Sequence, residues 1–463
     1  MQPNWIVLSL TLAYIAAMGL ISVSARRYAK SAGIFTSGGA SYPAFLIGFL
    51  LMSEFIGTAT SVGTTQTAYR VGVSAAWNVL ALAVGFVLYA ILLAPRFKEL
   101  GENTISGALN KAYGRPTKLA TSIIMIFALQ IVAVSTYAGG GTILAGLLNV
   151  DRTSAIVITG IVATLYVSVG GMRSVIYTNV LHAVVKYLGI LAAVAFGLSQ
   201  VGGLANLRAR MPEAMFAVDT VGWSQIFAWM VAGIGAVFST QYVIQAINTV
   251  QDGRTARQAS FYCAFLLVPF GIGAALVGVC AAALLPGIPA IQALPGLIAR
   301  MDDLLAAIVV AGLAGSLFGT ISALSIGAAT LLFKDFYHPR RRSEDGTSSL
   351  RFVRSMTVLV GLIPIPLAIF APDILKVTFL AKSLRATLAV LVVFAFYAPR
   401  FGTPRAAVVS ILVSLVLTIG WFLAGDPGGI DNAYVALVIP LAVMGTAELR
   451  KRTTLRNEPV AAP

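Results

Sequence analysis

The chain has 463 residues, 58% of them hydrophobic and only 11% charged, where soluble domains carry roughly 25% charge. This excludes an ordinary soluble globular domain, and recurrent apolar stretches of about 20 residues, the length that crosses a bilayer as helix, leave no loop long enough for a separate soluble domain. A net charge of +15 would suit nucleic acid, but its placement along the chain points to a membrane instead.

Backbone groups in lipid must be paired internally, so the spans are expected to be helices. A β-barrel would show short alternating segments, and none is present. Thirteen spans are predicted, near residues 5–23, 42–69, 73–94, 119–147, 154–170, 180–202, 223–245, 259–286, 303–333, 355–371, 377–398, 406–424 and 432–448. The first follows MQPNW, which has no basic region and no small-residue cleavage site, so it is read as a retained span. With the first span and the last two set aside, ten remain. They divide into two inverted fives, 42–202 and 223–398, in a single transmembrane domain. Residues 1–41 then carry an extra helix, and 399–463 carry two more helices and a tail.

The second span carries Glu54 in its middle, while the other acids fall in loops or at helix ends. A carboxylate at membrane depth is expensive and usually functional. Gly57, Thr58, Thr60, Ser61, Gly63, Thr64, Thr65 and Thr67 follow it and weaken the helix. A broken helix frees backbone groups, which is tolerable only where they line a cavity or bind a ligand. Freed carbonyls suit a small hard cation. The first span of the second half has a matching weak point at Gly233, Gly235, Ser239 and Thr240. Paired weak points in corresponding positions indicate a transport site. For the glycines alone, close helix packing is the plainer account.

Cys263 and Cys280 share one apolar segment and, at about 25 Å apart along a helix, cannot bond to each other. They are read as buried small hydrophobes. The two histidines, His182 and His338, have no carboxylate at ligand spacing, so no metal or nucleophile constellation can be assembled and the chain is not read as an enzyme. A channel would not need paired broken helices. A receptor would need an appended signalling domain, and none is evident.

Of the 32 Lys and Arg, 23 fall in one alternating set of loops, including Arg26, Arg27, Lys30 and the run Arg340–Arg342, and 5 in the other. That split is the positive-inside pattern. It puts the N-terminus outside and the C-terminus inside, which requires an odd number of spans, and sets Arg340–Arg342 against anionic lipid. The expected location is the cell inner (cytoplasmic) membrane, multi-pass. No nucleic acid and no obligate protein partner are expected.

Four stretches carry a resemblance: ENTISGALNKAYGRP (102–116), GGMRSVIYTNVLHAVVKY (170–187), STQYVIQAINTVQDGRTARQA (239–259) and FGTISALSIGAATLLFKDFY (318–337). Taken together and in order they resemble the sodium:solute symporters, which include proline, pantothenate, sugar and monocarboxylate carriers. The resemblance implies an all-α five-plus-five inverted repeat with one extra helix before it. It also implies alternating access and a sodium ion between the second and ninth spans. Its ligands would be the carbonyls of Ser53, Ile56 and Ser316 and the hydroxyl of Thr320. Gln241 and Tyr242 match the family's gate region. The chain departs from the family at three places. A usual hydroxyl pair is Gly319–Thr320, the usual Thr-Asp is Thr178–Asn179, and a usual Gln is His182. With one ligand missing, Glu54 either replaces it or carries a proton itself.

Basic residues at membrane depth complete the candidates. Lys186, two turns into the predicted sixth span, either stands where sodium would and shuttles protons, or snorkels to the interface. Asn179 and His182 lie near it. Lys382 and Arg385 occur in VTFLAKSLRATLAVLVVFAF, with Arg385 12 residues from Asp373 and near mid-depth. Snorkelling over that distance is hard, so Arg385 faces the bundle or a water-filled path, either binding a carboxylate bidentately or pairing with a helix-end carbonyl. Gly57, Thr58, Gln130 and Tyr137 are further candidate cavity-lining groups. The expected function is symport of a small carboxylate or amino acid, coupled to Na+ or alternatively H+, with no other cofactor.

Overall fold

The computed structural model describes residues 5–28, 31–39, 41–148, 150–168, 171–338, 347–371 and 374–457. Lys30, Gly170, Arg340–Arg342 and Asp373 lie outside the described residues. Within them every regular element is a helix, as lipid solvent requires. Apart from short connecting helices, in chain order they are α1 (Trp5–Ala25), α2 (Ala44–Phe55), α3 (Thr58–Val71), α4 (Trp77–Leu92), α5 (Arg115–Leu148), α6 (Arg152–Val167), α7 (Gly171–Val201), α8 (Trp223–Ser239), α9 (Gln241–Asn248), α10 (Gly253–Leu284), α11 (Asp303–Leu331), α12 (Thr347–Leu362), α13 (Ile374–Tyr397), α14 (Pro404–Leu423) and α15 (Asn432–Asn457). Loop acids cap several of them: Asp151 accepts from the Ser154 N–H, Asp252 from that of Thr255, and Asp302 from those of Leu304 and Leu305.

Among the described residues, ten helices are long and apolar enough to cross a membrane, or eleven if the bent pair α8–α9 counts as one span. The difference from thirteen has two sources. The α2 helix is a separate piece of 12 residues, and α3 runs on through the turn Gly72–Ala76 into α4 as one apolar stretch of 35 residues, Thr58–Leu92. The α6 helix has 16 residues, just short of the usual spanning length.

The predicted sixth span begins at 180, but α7 begins at Gly171. The polar run MRSVIYTN reads as loop by composition. In the structure Ser174, Thr178 and Asn179 are buried, and the Thr178 hydroxyl donates to Ser174 O within the helix at 2.9 Å. Lys186 therefore sits near the middle of a 31-residue helix, about 22 Å from its start.

Both predicted weak points are broken. The α2 helix stops where Ile56 (φ −92°, ψ 73°) and Gly57 (ψ 174°) leave helical geometry, and α3 restarts at Thr58. The α8 and α9 helices meet at Thr240, extended at ψ 132°, with a bend of 44°. Gly233 and Gly235 are not the break: they are packing positions, where α8 crosses α4 and α13. A Cβ on Gly235 would stand 2.5 Å from Ala386 Cα and 3.0 Å from Ala386 N, backbone that cannot yield. We expect Gly235→Ala to cost about 1–3 kcal/mol and lower the thermal midpoint of the purified protein. Gly420→Ala, where nothing lies within 4 Å, should leave it in place. Equal midpoints for the two variants would refute the crossing.

Candidate functional site

The first break places the end of α2 between α7 and α11. The Thr60 hydroxyl turns back onto Phe55 O at 3.0 Å, and the Thr320 hydroxyl of α11 donates to Glu54 O at 3.2 Å. These side chains satisfy carbonyls that a continuous helix would have paired. Across the gap, Thr58 donates to Thr136 O of α5 at 2.9 Å. Gly57 is required here: a Cβ would lie 2.8 Å from Thr320 Oγ1.

Ser53 O has a different partner. The Lys186 ammonium donates to it at 2.5 Å and to Ser53 Oγ at 2.9 Å, and Ser53 Oγ in turn donates to Asn179 Oδ1 at 2.7 Å. Lys186 is 2% exposed, so it does not snorkel. Gly312, Gly315 and Gly319 share the face of α11 that meets α7, and their missing side chains let the two helices close. At Gly319 a Cβ would meet Asn179 Oδ1 at 2.3 Å. Two departures from the family pattern are thus one packing unit, since Asn179 fills the space a residue-319 hydroxyl would need. His182, a turn before Lys186, is held between Tyr14 Oη (2.5 Å) and Tyr166 Oη (3.4 Å). Ser316 lies beside Lys186, its hydroxyl returned to Gly312 O at 3.0 Å.

On the other side of the break is a small cavity of about 20 Å³, lined by Glu54, Gly57, Thr320, Tyr242, Lys382 and Arg385 among others. Arg385 is anchored by Nε to Ala381 O (3.0 Å) and by Nη1 to Thr240 Oγ1 (2.8 Å), so its guanidinium is tied to the second break. Tyr242 lies beside it and packs edge-on against Phe55. The Lys382 ammonium makes no hydrogen bond and stands 4.3 Å from the Phe379 ring centroid. Neither oxygen of the Glu54 carboxylate has a hydrogen-bond partner. The site therefore brings together Ser53, Glu54, Ile56, Gly57, Thr58, Asn179, Lys186, Tyr242, Thr320, Lys382 and Arg385, in two clusters either side of the break.

Other candidates sit elsewhere. Tyr137 donates to Gly361 O at 2.9 Å, joining α5 to α12. Gln241 braces the loop before the short helix Ile105–Tyr113, accepting from Ile105 N and donating to Asn103 O, both at 3.0 Å. Gln130 does not line the cavity. Thr136 and Thr378 do line it but carry no signal in the sequence, since hydroxyls in apolar helices commonly bond their own backbone. Asp335 is equally silent there. It is buried just past α11, in salt-bridge contact with Lys118 (3.0 Å), and accepts from Ser106 and Ser122. A carboxylate at a span end reads as solvated, and only the three-dimensional packing shows otherwise.

An all-helical membrane bundle in which two interrupted helices meet around buried charges is the frame of a transporter. The same fold occurs in a Na+-coupled sialic acid symporter solved in a substrate-bound outward-open state (TM-score 0.82, 18% identity, 97% of this chain and 98% of that one). It also occurs in Mhp1, a nucleobase-cation-symport-1 family transporter solved in a closed conformation (TM-score 0.59, 17% identity, 89% and 94% covered). The model of the sodium:solute symporter family matches residues 35–413, and the chain belongs to that family of multi-pass membrane proteins. Over 260 residues it is 28% identical to the Homo sapiens sodium/iodide cotransporter, a match spanning 55% of this chain and 40% of that protein's length.

Proposed function

We propose that the chain is a secondary active transporter that moves a small organic solute, a carboxylate or an amino acid, together with a monovalent cation by alternating access. The observation that carries the solute class is the pair Lys382 and Arg385. Both are buried at the break, and the Lys382 ammonium is without a hydrogen bond. An unpaired buried charge is costly, and an anionic solute would relieve it. With only about 20 Å³ free, roughly a water's room, a solute enters only when the helices part, as alternating access requires. In this reading the chain has thirteen spans, the N-terminus outside and the C-terminus inside. Its repeats are 42–202 and 223–398, and it resides in the inner membrane.

Family membership supports sodium as the coupling ion, and the resemblance would seat it on the carbonyls of Ser53, Ile56 and Ser316 and the Thr320 hydroxyl, a seat that the Lys186 ammonium contests. A second reading, a carrier of the same fold that is proton-coupled or uncoupled, is favoured by the Lys186 ammonium on Ser53 O. The solute class is tested by thermal stabilisation of detergent-purified protein with a panel of small carboxylates, amino acids and neutral sugars. Carboxylates or amino acids are expected to raise the midpoint and neutral sugars to leave it unchanged. Stabilisation by the sugars alone would sink the reading.

A further inference from the structure

The cation site carried over from the family lies between α2 and α11, and the role assigned to Lys186 rests on reading that place as a coupling-ion site. The chemistry there does not fit a free metal ion. Its first ligand, Ser53 O, already accepts a hydrogen bond of 2.5 Å from the Lys186 ammonium, which also holds Ser53 Oγ at 2.9 Å. A metal ion on the same carbonyl would sit directly against that ammonium and be repelled by it. The usual hydroxyl at 319 is absent, and Asn179 Oδ1 stands 2.3 Å from where a Cβ would begin. The amide that replaces the family's carboxylate is neutral, so position 179 adds no negative charge to offset a second cation beside the ammonium. Glu54 is the carboxylate within electrostatic reach of Lys186.

The ammonium also does what an ion there would do. The C-terminal end of a helix carries partial negative charge on its unpaired carbonyls and favours a cation, and Lys186 supplies one to the end of α2. Its side chain is buried and extends from the middle of α7, so it ties that helix to the break. Two of its three N–H donors are spent on Ser53. A cavity of about 20 Å³ beside it, lined in part by Ser61, Thr65 and Ser316, has room for a water to take the third.

We propose that Lys186 is a resident cation: its ammonium permanently takes the place of the metal ion between α2 and α11, so that no sodium binds there. Sodium coupling, if the protein has it, would then use other ligands.

The test needs no solute, so it stands or falls apart from the solute reading. Equilibrium binding of radiolabelled sodium would be measured on purified wild type and on Lys186→Ala. Thermal midpoints would be recorded in sodium chloride and in choline chloride. The variant is expected to bind one sodium more per protein than wild type. It should melt lower than wild type in choline and recover part of the difference in sodium. Lys186→Thr, which vacates the ammonium and adds a hydroxyl ligand, should show the same gain and serves if the alanine variant does not fold. A sodium stoichiometry unchanged or reduced in the variants, with no sodium-specific recovery, overturns the proposal.

Discussion

Arg385→Gln should abolish uptake of a carboxylate solute while the protein still reaches the membrane. Arg385 is 2% exposed and lines the cavity at the break. Its N–H donors engage Ala381 O and Thr240 Oγ1 and the neighbouring Tyr242, and with five donors in a planar fork the guanidinium keeps two for a carboxylate. A carboxylate held by that fork gains two charge-assisted bonds at about 1.5–3 kcal/mol each, and glutamine offers neither the charge nor the fork. The expected loss is therefore on the order of a hundredfold or more in uptake. Arg385→Lys, which keeps the charge alone, should fall between. Because Arg385 also anchors the second break, Thr240→Val is the needed control. It removes that anchor and leaves the guanidinium free, and it should cost much less. Uptake by Arg385→Gln equal to wild type would remove this residue from the solute site. Equal losses in Arg385→Gln and Thr240→Val would assign it to the geometry of the break.

Gly57→Ala is expected to stop transport for a different reason. The added Cβ falls 2.8 Å from Thr320 Oγ1 and 3.4 Å from its Cβ and Cγ2. The Thr320 hydroxyl must then swing away, and its bond to Glu54 O at 3.2 Å is lost. That bond ties α2 to α11 at the end of the broken helix. Losing it leaves a buried carbonyl unpaired at about 1–3 kcal/mol and props the two helices apart. A roughly tenfold or greater loss of uptake, at near-normal expression, is the expected result. Thr320→Ala in the same chain makes room for the new methyl and should recover part of the activity. If the double variant is no better than Gly57→Ala, the contact between these two residues is not the cause.

The two breaks were legible because their signal is local: glycine and hydroxyl residues crowded in apolar runs. Glu54, Lys382 and Arg385 were legible for a similar reason, since a charge inside a long apolar run stands out. What the sequence hid is of two kinds. Where polar residues are buried within a helix, as in 171–179, composition imitates a loop. That displaced the start of α7 by nine residues and left Lys186 within apparent reach of the interface. Where a role depends on what lies opposite, no single-chain pattern exists. Gly319 reads as a lost ligand until Asn179 is seen filling its place. Tyr137 reads as a cavity group and Gln241 as a gate residue until their hydrogen bonds to Gly361, Asn103 and Ile105 are seen to lead away from the cavity. The charge pattern for Arg340–Arg342 lies outside the described residues.

The most direct measurement is uptake of labelled small carboxylates and amino acids into liposomes containing the purified protein, under an imposed sodium gradient and, separately, an imposed proton gradient. Wild type is expected to accumulate a solute above its equilibrium level under at least one gradient, and Arg385→Gln is expected not to. A solute that merely equilibrates, or that accumulates equally in both proteins, would contradict the account of a gradient-driven carrier that holds an anion at the break.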